Sequence, residues 1–168
     1  GIVENYQELR GILKTKGYQF QTETDTEVIV RLIEEKLNQT NDLKEAITMA
    51  FNKLKGRNAI VVINKENKTI YAARNGSPLM LGIGENEFIL ASDPSPLLKH
   101  TKKIIFLDDN ELIEINNNYQ IYNLQTNQPI QKEIQTLTWD VEQAKKGNFP
   151  HFMIKEIMEQ KDTIRQAL

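Results

Sequence analysis

The sequence predicts an α+β fold in which helices pack on a largely antiparallel sheet. Apolar residues recur with helical spacing from Tyr6 to Leu54, and they alternate or form short runs from Ala59 to Leu124. Helical spacing then returns from His151 to the end of the sequence. Helices and strands are therefore segregated along the chain, whereas a doubly wound sheet requires them to alternate.

Three helices are expected before the strands, and each has a capping signal at its start. The residue pairs with capping-box spacing are Asn5 with Glu8, Thr24 with Glu27, and Asp42 with Glu45. Gly17 and Gly56 provide stop signals for the first and third helices. The residues between the first two helices, 18–21, predict a short strand.

The middle of the chain predicts a series of short strands joined by turns. The predicted strands are Ala59–Asn64, Thr69–Arg74, Leu79–Ile83, Phe88–Ser92, Lys103–Leu107, Glu111–Ile115 and Tyr119–Leu124. The first six are expected to form three successive hairpins, the third of which turns over Asp108–Asn110. Pro94 marks the start of a short helix. Residues 136–148 predict a loop, and 151–168 predict a final helix.

The composition indicates a globular chain that can bury a core. Its 168 residues match one domain, since domains usually contain roughly 100–200 residues. A hydrophobic share of 39% and a net charge of only -2 are unlike those of disordered chains. The longest apolar runs are far shorter than the roughly 20 residues of a membrane span. No basic stripe is present, which argues against a nucleic-acid partner.

Few residues in the sequence are candidates for catalysis or metal binding. The chain has no cysteine, so disulfides, thiolate metal sites and a cysteine nucleophile are excluded within it. Its two histidines, His100 and His151, are expected at helix ends rather than in a catalytic triad. The acidic residues of Asp108–Asn110 predict a turn rather than a metal site. We expect no metal site.

Asp25 is the most informative acid. Its position suits a helix start, where a carboxylate interacts favourably with unpaired amides and the helix dipole. The same carboxylate, beside three threonines, could instead bind the ammonium group of a ligand. The residue pattern alone leaves both interpretations open.

Two strings resemble class II glutamine amidotransferases. Residues 1–6, Gly-Ile-Val-Glu-Asn-Tyr, resemble the stretch that follows the oxyanion asparagine of that group. Residues 20–29, Phe-Gln-Thr-Glu-Thr-Asp-Thr-Glu-Val-Ile, resemble its glutamine-binding segment. Amidophosphoribosyltransferases have a similar second string, so a fragment of such an enzyme remains an alternative.

Later strings resemble the glutamine–fructose-6-phosphate aminotransferases. They are Ala-Ala-Arg-Asn-Gly-Ser-Pro-Leu at 72–79, Phe-Ile-Leu-Ala-Ser-Asp at 88–93, and Phe-Leu-Asp-Asp at 106–109 with Glu-Ile at 114–115. The most specific is His-Phe-Met-Ile-Lys-Glu-Ile-Met-Glu-Gln at 151–160, which resembles the family's lead into its sugar-isomerase domains.

The resemblance implies an N-terminal-nucleophile hydrolase-type α/β/β/α sandwich of antiparallel sheets, truncated at its N-terminal side. Residues 1–147 would form a partial class II glutaminase domain. Residues 148–168 would form a linker helix towards sugar-isomerase domains outside this sequence.

The resemblance also implies a function. The family makes glucosamine 6-phosphate from fructose 6-phosphate and L-glutamine, without a cofactor, as a cytoplasmic homodimer. Asp25 would bind the α-ammonium of glutamine, and the backbone amide of Gly1 would help hold the oxyanion. The family's nucleophile is an N-terminal cysteine, so the cysteine-free chain is expected to be inactive alone. We expect no nucleic-acid or membrane partner. A non-catalytic module that binds glutamine or a partner subunit is a further alternative.

Overall fold

Three helices precede the first strand, as the sequence predicts. The structure is a computed structural model that describes residues 2–138 and 149–167. The helices are α1 (Tyr6–Thr15), α2 (Asp25–Thr40) and α3 (Leu43–Phe51). Each helix buries one apolar stripe, because residues at helical spacing share a face. In α2 the buried apolar residues are Val28, Ile29, Leu32 and Ile33.

Only one of the three predicted capping pairs forms a side-chain cap. Asp42 accepts the backbone N–H of Glu45 at 2.9 Å. Asn5 and Thr24 stand at the N-cap positions of α1 and α2, but neither side chain makes the capping bond. The Asn5 side chain instead bonds the backbone of the segment that leads from α3 into the first strand. That tertiary contact replaces the local cap.

Within residues 2–138 and 149–167, nine strands form two sheets, and every pair of these strands is antiparallel. The strands are β1 (Asn58–Ile63), β2 (Ile70–Asn75), β3 (Met80–Ile83), β4 (Phe88–Ala91), β5 (Lys103–Phe106), β6 (Glu111–Ile115), β7 (Tyr119–Asn123), β8 (Pro129–Ile130) and β9 (Gln135–Thr136). The five-stranded sheet has the order β1-β2-β6-β7-β8, and the four-stranded sheet has the order β4-β3-β5-β9. Among the strands that the structure describes, β1 therefore lies at an edge of its sheet.

Three buried apolar clusters define the layers. The first joins the three helices to the outer face of the five-stranded sheet through residues such as Ala73 and Leu112. The second lies between the two sheets and contains Leu81 and Ile113, both 0% exposed. The third covers the other face of the four-stranded sheet with a 3-10 helix, Leu97–Lys99. This order of layers agrees with the predicted α+β class.

The predicted hairpin of β5 with β6 is wrong, because the two strands belong to different sheets. Strand β5 pairs with β3 and β9, whereas β6 pairs with β2 and β7. The connection over Asp108–Asn110 is therefore an arch between sheets. Arg74 and the Gly76 N–H hold this arch by bonding one carboxylate oxygen of Asp109. The backbone of Asn110 is left-handed, with a φ of 61°.

The predicted strand over 18–21 is also wrong. The N–H of Tyr18 bonds the carbonyl of Leu13, and the N–H of Gln21 bonds the carboxylate of Glu27. These bonds engage the backbone locally, so it is not paired as a strand. The short strands β8 and β9 follow the last strand that the sequence predicts.

The last described helix, α4 (Phe152–Ala167), lies where helical spacing returns in the sequence. The predicted domain boundary between 147 and 148 falls outside the described residues. Among the helices that the structure describes, none is both long and apolar enough to cross a membrane.

Candidate functional site

Asp25 is the first residue of α2 and contacts the opening segment of the chain. Its Oδ2 accepts the backbone N–H of Val3 at 2.9 Å, across 22 positions of sequence. This contact combines the two strings that resemble amidotransferases, since one contains Val3 and the other contains Asp25. The side chain of Asp25 is partly exposed.

The opening segment is held from a second side by the end of α3 and the residues that follow it. The N–H of Glu4 donates to the carbonyl of Lys55 at 3.0 Å. Gly56 has a φ of 97°, and a Cβ built there would lie 2.8 Å from the carbonyl oxygen of Ile2. A glycine is therefore needed for both backbone conformation and close approach. Val3 is 1% exposed and belongs to the helix-side core.

An open groove of about 440 Å³ runs beside Asp25, between α2 and the edge strand β1. Its walls are largely apolar and come from Ile29, Val30 and Ile33 of α2 and from residues 58–63 of β1. A carboxylate at the end of an apolar groove can fix a cationic group while the walls contact an aliphatic chain. The groove therefore combines one carboxylate with largely apolar walls.

The carboxylate of Asp25 has one oxygen available for a ligand. Its Oδ2 is bound to Val3, and Oδ1 accepts no hydrogen bond from residues 2–138 or 149–167. The N-terminus of α2 favours a negative charge at this position because the helix dipole is positive there. An ammonium group at Oδ1 would form a charge-assisted hydrogen bond.

A second acid of the same helix turn organises the residues before Asp25. Glu27 accepts the Thr22 hydroxyl at 2.6 Å, and the backbone N–H groups of Gln21 and Thr22 at 2.8 Å and 2.6 Å. The Thr22 hydroxyl, followed by the Gln21 N–H, lowers the pKa of Glu27 to about 2. Glu27 is therefore a carboxylate at neutral pH.

Gly1, the other predicted site residue, lies outside the described residues. The loop of Gly76 to Pro78 approaches the opening segment, where Ile2 and Arg57 line a second open depression of about 490 Å³ with it. His100 lies elsewhere, paired with Glu87 at 3.1 Å. Within the described part of the chain, no group of three or more histidines or acids is arranged to hold a metal ion.

Two contributions to the site could not be found by inspecting residue types. Val3 acts through its backbone, which carries no side-chain signal. Glu27 was expected only as the partner of a Thr24 cap, yet it reaches past Thr24 to the preceding turn. The one available signal is the density of hydroxyl and carboxylate side chains over 22–27.

Comparison with known proteins identifies a family for this chain. The family described as glutamine amidotransferase domain matches residues 1–99. Over its whole length the chain is 45% identical to glutamine–fructose-6-phosphate aminotransferases from Thermotoga maritima and from Aquifex aeolicus. It is 43% identical to the one from Thermococcus kodakarensis. The chain spans only 28% of the length of each of these relatives.

Solved structures support the fold. A glutamine phosphoribosylpyrophosphate amidotransferase from B. subtilis superposes with a TM-score of 0.64 at 24% identity, covering 71% of this chain and 27% of that one. A second structure, an allosteric regulatory enzyme of purine biosynthesis, gives the same score over 73% of this chain and 26% of that one. The predicted N-terminal-nucleophile hydrolase-type fold is thereby confirmed, and the family match shows that the chain belongs to the glutamine amidotransferase domain family.

Proposed function

We propose that this chain supplies the ammonium-binding part of a glutamine site, in which Asp25 holds the α-ammonium of L-glutamine. The observation that carries the proposal is the geometry of Asp25. One carboxylate oxygen is fixed by the N–H of Val3, the other accepts no bond from the described residues, and the side chain lines an apolar groove. A carboxylate oriented in advance binds an ammonium group without first losing rotamer freedom.

The opening segment gives this subsite its place in the reaction. We propose that, in a longer protein where a residue precedes Gly1, the peptide N–H of Gly1 helps to stabilise the oxyanion formed on the glutamine amide, as preorganised N–H donors do. A cysteine thiol from outside this sequence would add to the side-chain amide of glutamine. Ammonia would leave, and water would hydrolyse the resulting thioester to glutamate. The chain contains no cysteine, so we propose that it releases no ammonia from glutamine by itself.

We further propose that the chain is part of a longer glutamine–fructose-6-phosphate aminotransferase. Such an enzyme would use the ammonia to make glucosamine 6-phosphate from fructose 6-phosphate. The support is 45% identity over the whole of this chain, which includes the residues beyond 99 as well as the site. In this proposal residues 1–147 belong to the glutaminase domain, 148–168 lead towards sugar-isomerase domains, and the whole protein is a cytoplasmic homodimer.

The alternative of an amidophosphoribosyltransferase fragment has weaker support, since its likeness is one of fold at 24% identity. A binding module without catalysis is favoured by one fact, the absence of cysteine from this chain. The aminotransferase proposal and the binding-module alternative both include the Asp25 subsite. They differ in whether ammonia is released from the bound glutamine.

A binding experiment tests the subsite directly. L-glutamine is titrated into the ¹⁵N-labelled chain, and amide shifts are followed by NMR for the wild type and for Asp25→Asn. Loss of a charge-assisted hydrogen bond costs about 1.5–3 kcal/mol, so Asp25→Asn should weaken binding about 10- to 100-fold. Asp42→Asn is the matched control, because Asp42 also starts a helix but lies away from the groove.

A ligand control isolates the ammonium group. Glutaramate keeps the amide and the carboxylate of glutamine and lacks the ammonium, so it should bind more weakly than L-glutamine to the wild type and about equally to both Asp25 forms. Equal binding of L-glutamine by wild type and Asp25→Asn would contradict the proposal, and so would equal affinities of the wild type for the two ligands.

A further inference from the structure

The turn that precedes Asp25 is fixed by a single carboxylate. Both oxygens of Glu27 are used: Oε1 accepts the N–H of Gln21, and Oε2 accepts the N–H and the hydroxyl of Thr22. The Thr22 hydroxyl also lies 2.9 Å from the hydroxyl of Thr24, the N-cap residue of α2. A continuous set of hydrogen bonds therefore runs from Glu27 to the residue next to Asp25.

Helix α1 supports the same turn from its other side. The guanidinium of Arg10 donates to the carbonyl of Thr22 and lies 4.7 Å from the centroid of the Phe20 ring. On α2, the Nε of Arg31 lies 3.6 Å from Oε1 of Glu27, which is close enough for an ion pair. Donors thus reach Thr22 and Glu27 from two helices.

The start of α2 depends on this arrangement because its N-cap is otherwise unsupported. The side chain of Thr24 makes no capping hydrogen bond, so the first turn of α2 lacks the usual local anchor. Asp25 follows this turn directly in sequence, and its Oδ2 accepts the Val3 N–H.

We propose that Glu27 is a positioning residue for the ammonium subsite: it holds the turn of residues 21–24 and thereby sets the direction of the Asp25 carboxylate. Glu27 forms no bond to Val3 and acts through the turn and Asp25. The effect on the Asp25–Val3 contact follows from the structure alone, whereas the effect on glutamine binding rests on the proposed function.

The Val3 amide is a direct reporter of this positioning. Its N–H donates to Asp25 and its side chain is 1% exposed, so its hydrogen exchange requires the contact to open. We expect Glu27→Ala to accelerate Val3 exchange about tenfold, as for the loss of one charge-assisted contact. Glu27→Gln keeps one acceptor oxygen and should give a smaller acceleration.

The matched control is Glu34→Ala. Glu34 lies on the same helix and accepts Arg31 Nη1 at 2.9 Å, but it has no contact with the turn. Its loss should leave Val3 exchange within about twofold of the wild type, since an exposed ion pair contributes little. Thr22→Val removes the hydroxyl alone, and it tests the same turn if Glu27→Ala does not fold.

The outcomes separate positioning from general stability and from glutamine binding. Faster exchange at Val3 with unchanged exchange at Ile113, in the core between the sheets, supports the proposal. Unchanged exchange at Val3 in Glu27→Ala, or equal acceleration at Val3 and Ile113, overturns it. If Val3 responds as expected while the wild type binds no L-glutamine, the positioning role stands and the proposed function fails.

A glutamine titration of the same variants completes the test. If the wild type binds L-glutamine, Glu27→Ala should weaken that binding about as much as it loosens the Val3 contact, and Glu27→Gln should restore part of the affinity. Unchanged glutamine affinity in Glu27→Ala together with faster Val3 exchange would overturn the link between the turn and the subsite.

Discussion

Substitutions of Asp25 can separate its hydrogen-bond acceptor from its charge. Asp25→Ala leaves the N–H of Val3, a residue 1% exposed, without its acceptor. An unsatisfied buried donor costs about 1–3 kcal/mol, and loss of an acid from the first helical turn costs about 0.3–1 kcal/mol. We therefore expect Asp25→Ala to lower the free energy of unfolding by about 2 kcal/mol. Asp25→Asn keeps an acceptor oxygen and should lower it by only about 0.5 kcal/mol.

Urea unfolding followed by far-UV circular dichroism measures both changes. Asp42→Ala provides the reference, because it removes the one side-chain cap that the structure shows among the helices α1 to α3, and such a loss costs about 1 kcal/mol. Equal destabilisation by the two Asp25 variants would refute the reasoning, since it would mean that charge rather than the Val3 bond determines the effect.

Two further predictions concern the core and the response to acid. Leu81→Ala, at a fully buried position between the sheets, should lower the free energy of unfolding in urea by about 2–5 kcal/mol. Val61→Ala, at a position of β1 that is 52% exposed, should lower it by less than about 0.5 kcal/mol. The Thr22 hydroxyl is the chief cause that lowers the pKa of Glu27 from 4.5 to about 2. Ionised Glu27 therefore stabilises the folded chain fully above pH 4.5, and this stabilisation is lost as the pH falls towards 2. The stability difference between wild type and Glu27→Gln should therefore shrink over that range, and a constant difference would contradict this assignment.

Helix and strand positions were predictable because neighbouring residues largely decide them. The stretch from Ala59 to Arg74 contains two apolar runs around a polar turn, and the structure pairs them as β1 and β2 in the expected hairpin. The start of α3 is local too, since Asp42 and Glu45 form their cap within one turn. Periodicity and capping describe such short-range interactions well.

Sheet membership was not predictable in the same way. The error at β5 and β6 arose because adjacent strands with a short connection usually form a hairpin. Ile104 and Ile105 are consecutive apolar residues and both are buried, but so are Ala72 and Ala73 of the β1–β2 hairpin, so this pattern does not exclude a hairpin. Consecutive burial means that both faces of β5 are covered, which fits a strand between two core layers better than one with a solvent face. Only the tertiary structure, however, shows that the arch at Asp109 is closed by Arg74.

The sequence indicated Asp25 as a candidate site residue but not the contacts that hold it. The resemblance indicated Asp25. Side-chain types do not indicate that Asp25 bonds the backbone of Val3. They also do not indicate that Glu27 bonds residues 21 and 22 while the N-cap residue Thr24 makes no capping bond. Both contacts depend on how α2 packs beside the opening segment. An aspartate with one oxygen bonded to its own chain is oriented before a ligand arrives, because the bond that fixes Oδ2 also fixes the direction of Oδ1. The proposed ammonium subsite is therefore complete only when the helix layer has packed, and a change that loosens this layer should weaken glutamine binding even where it touches no ligand.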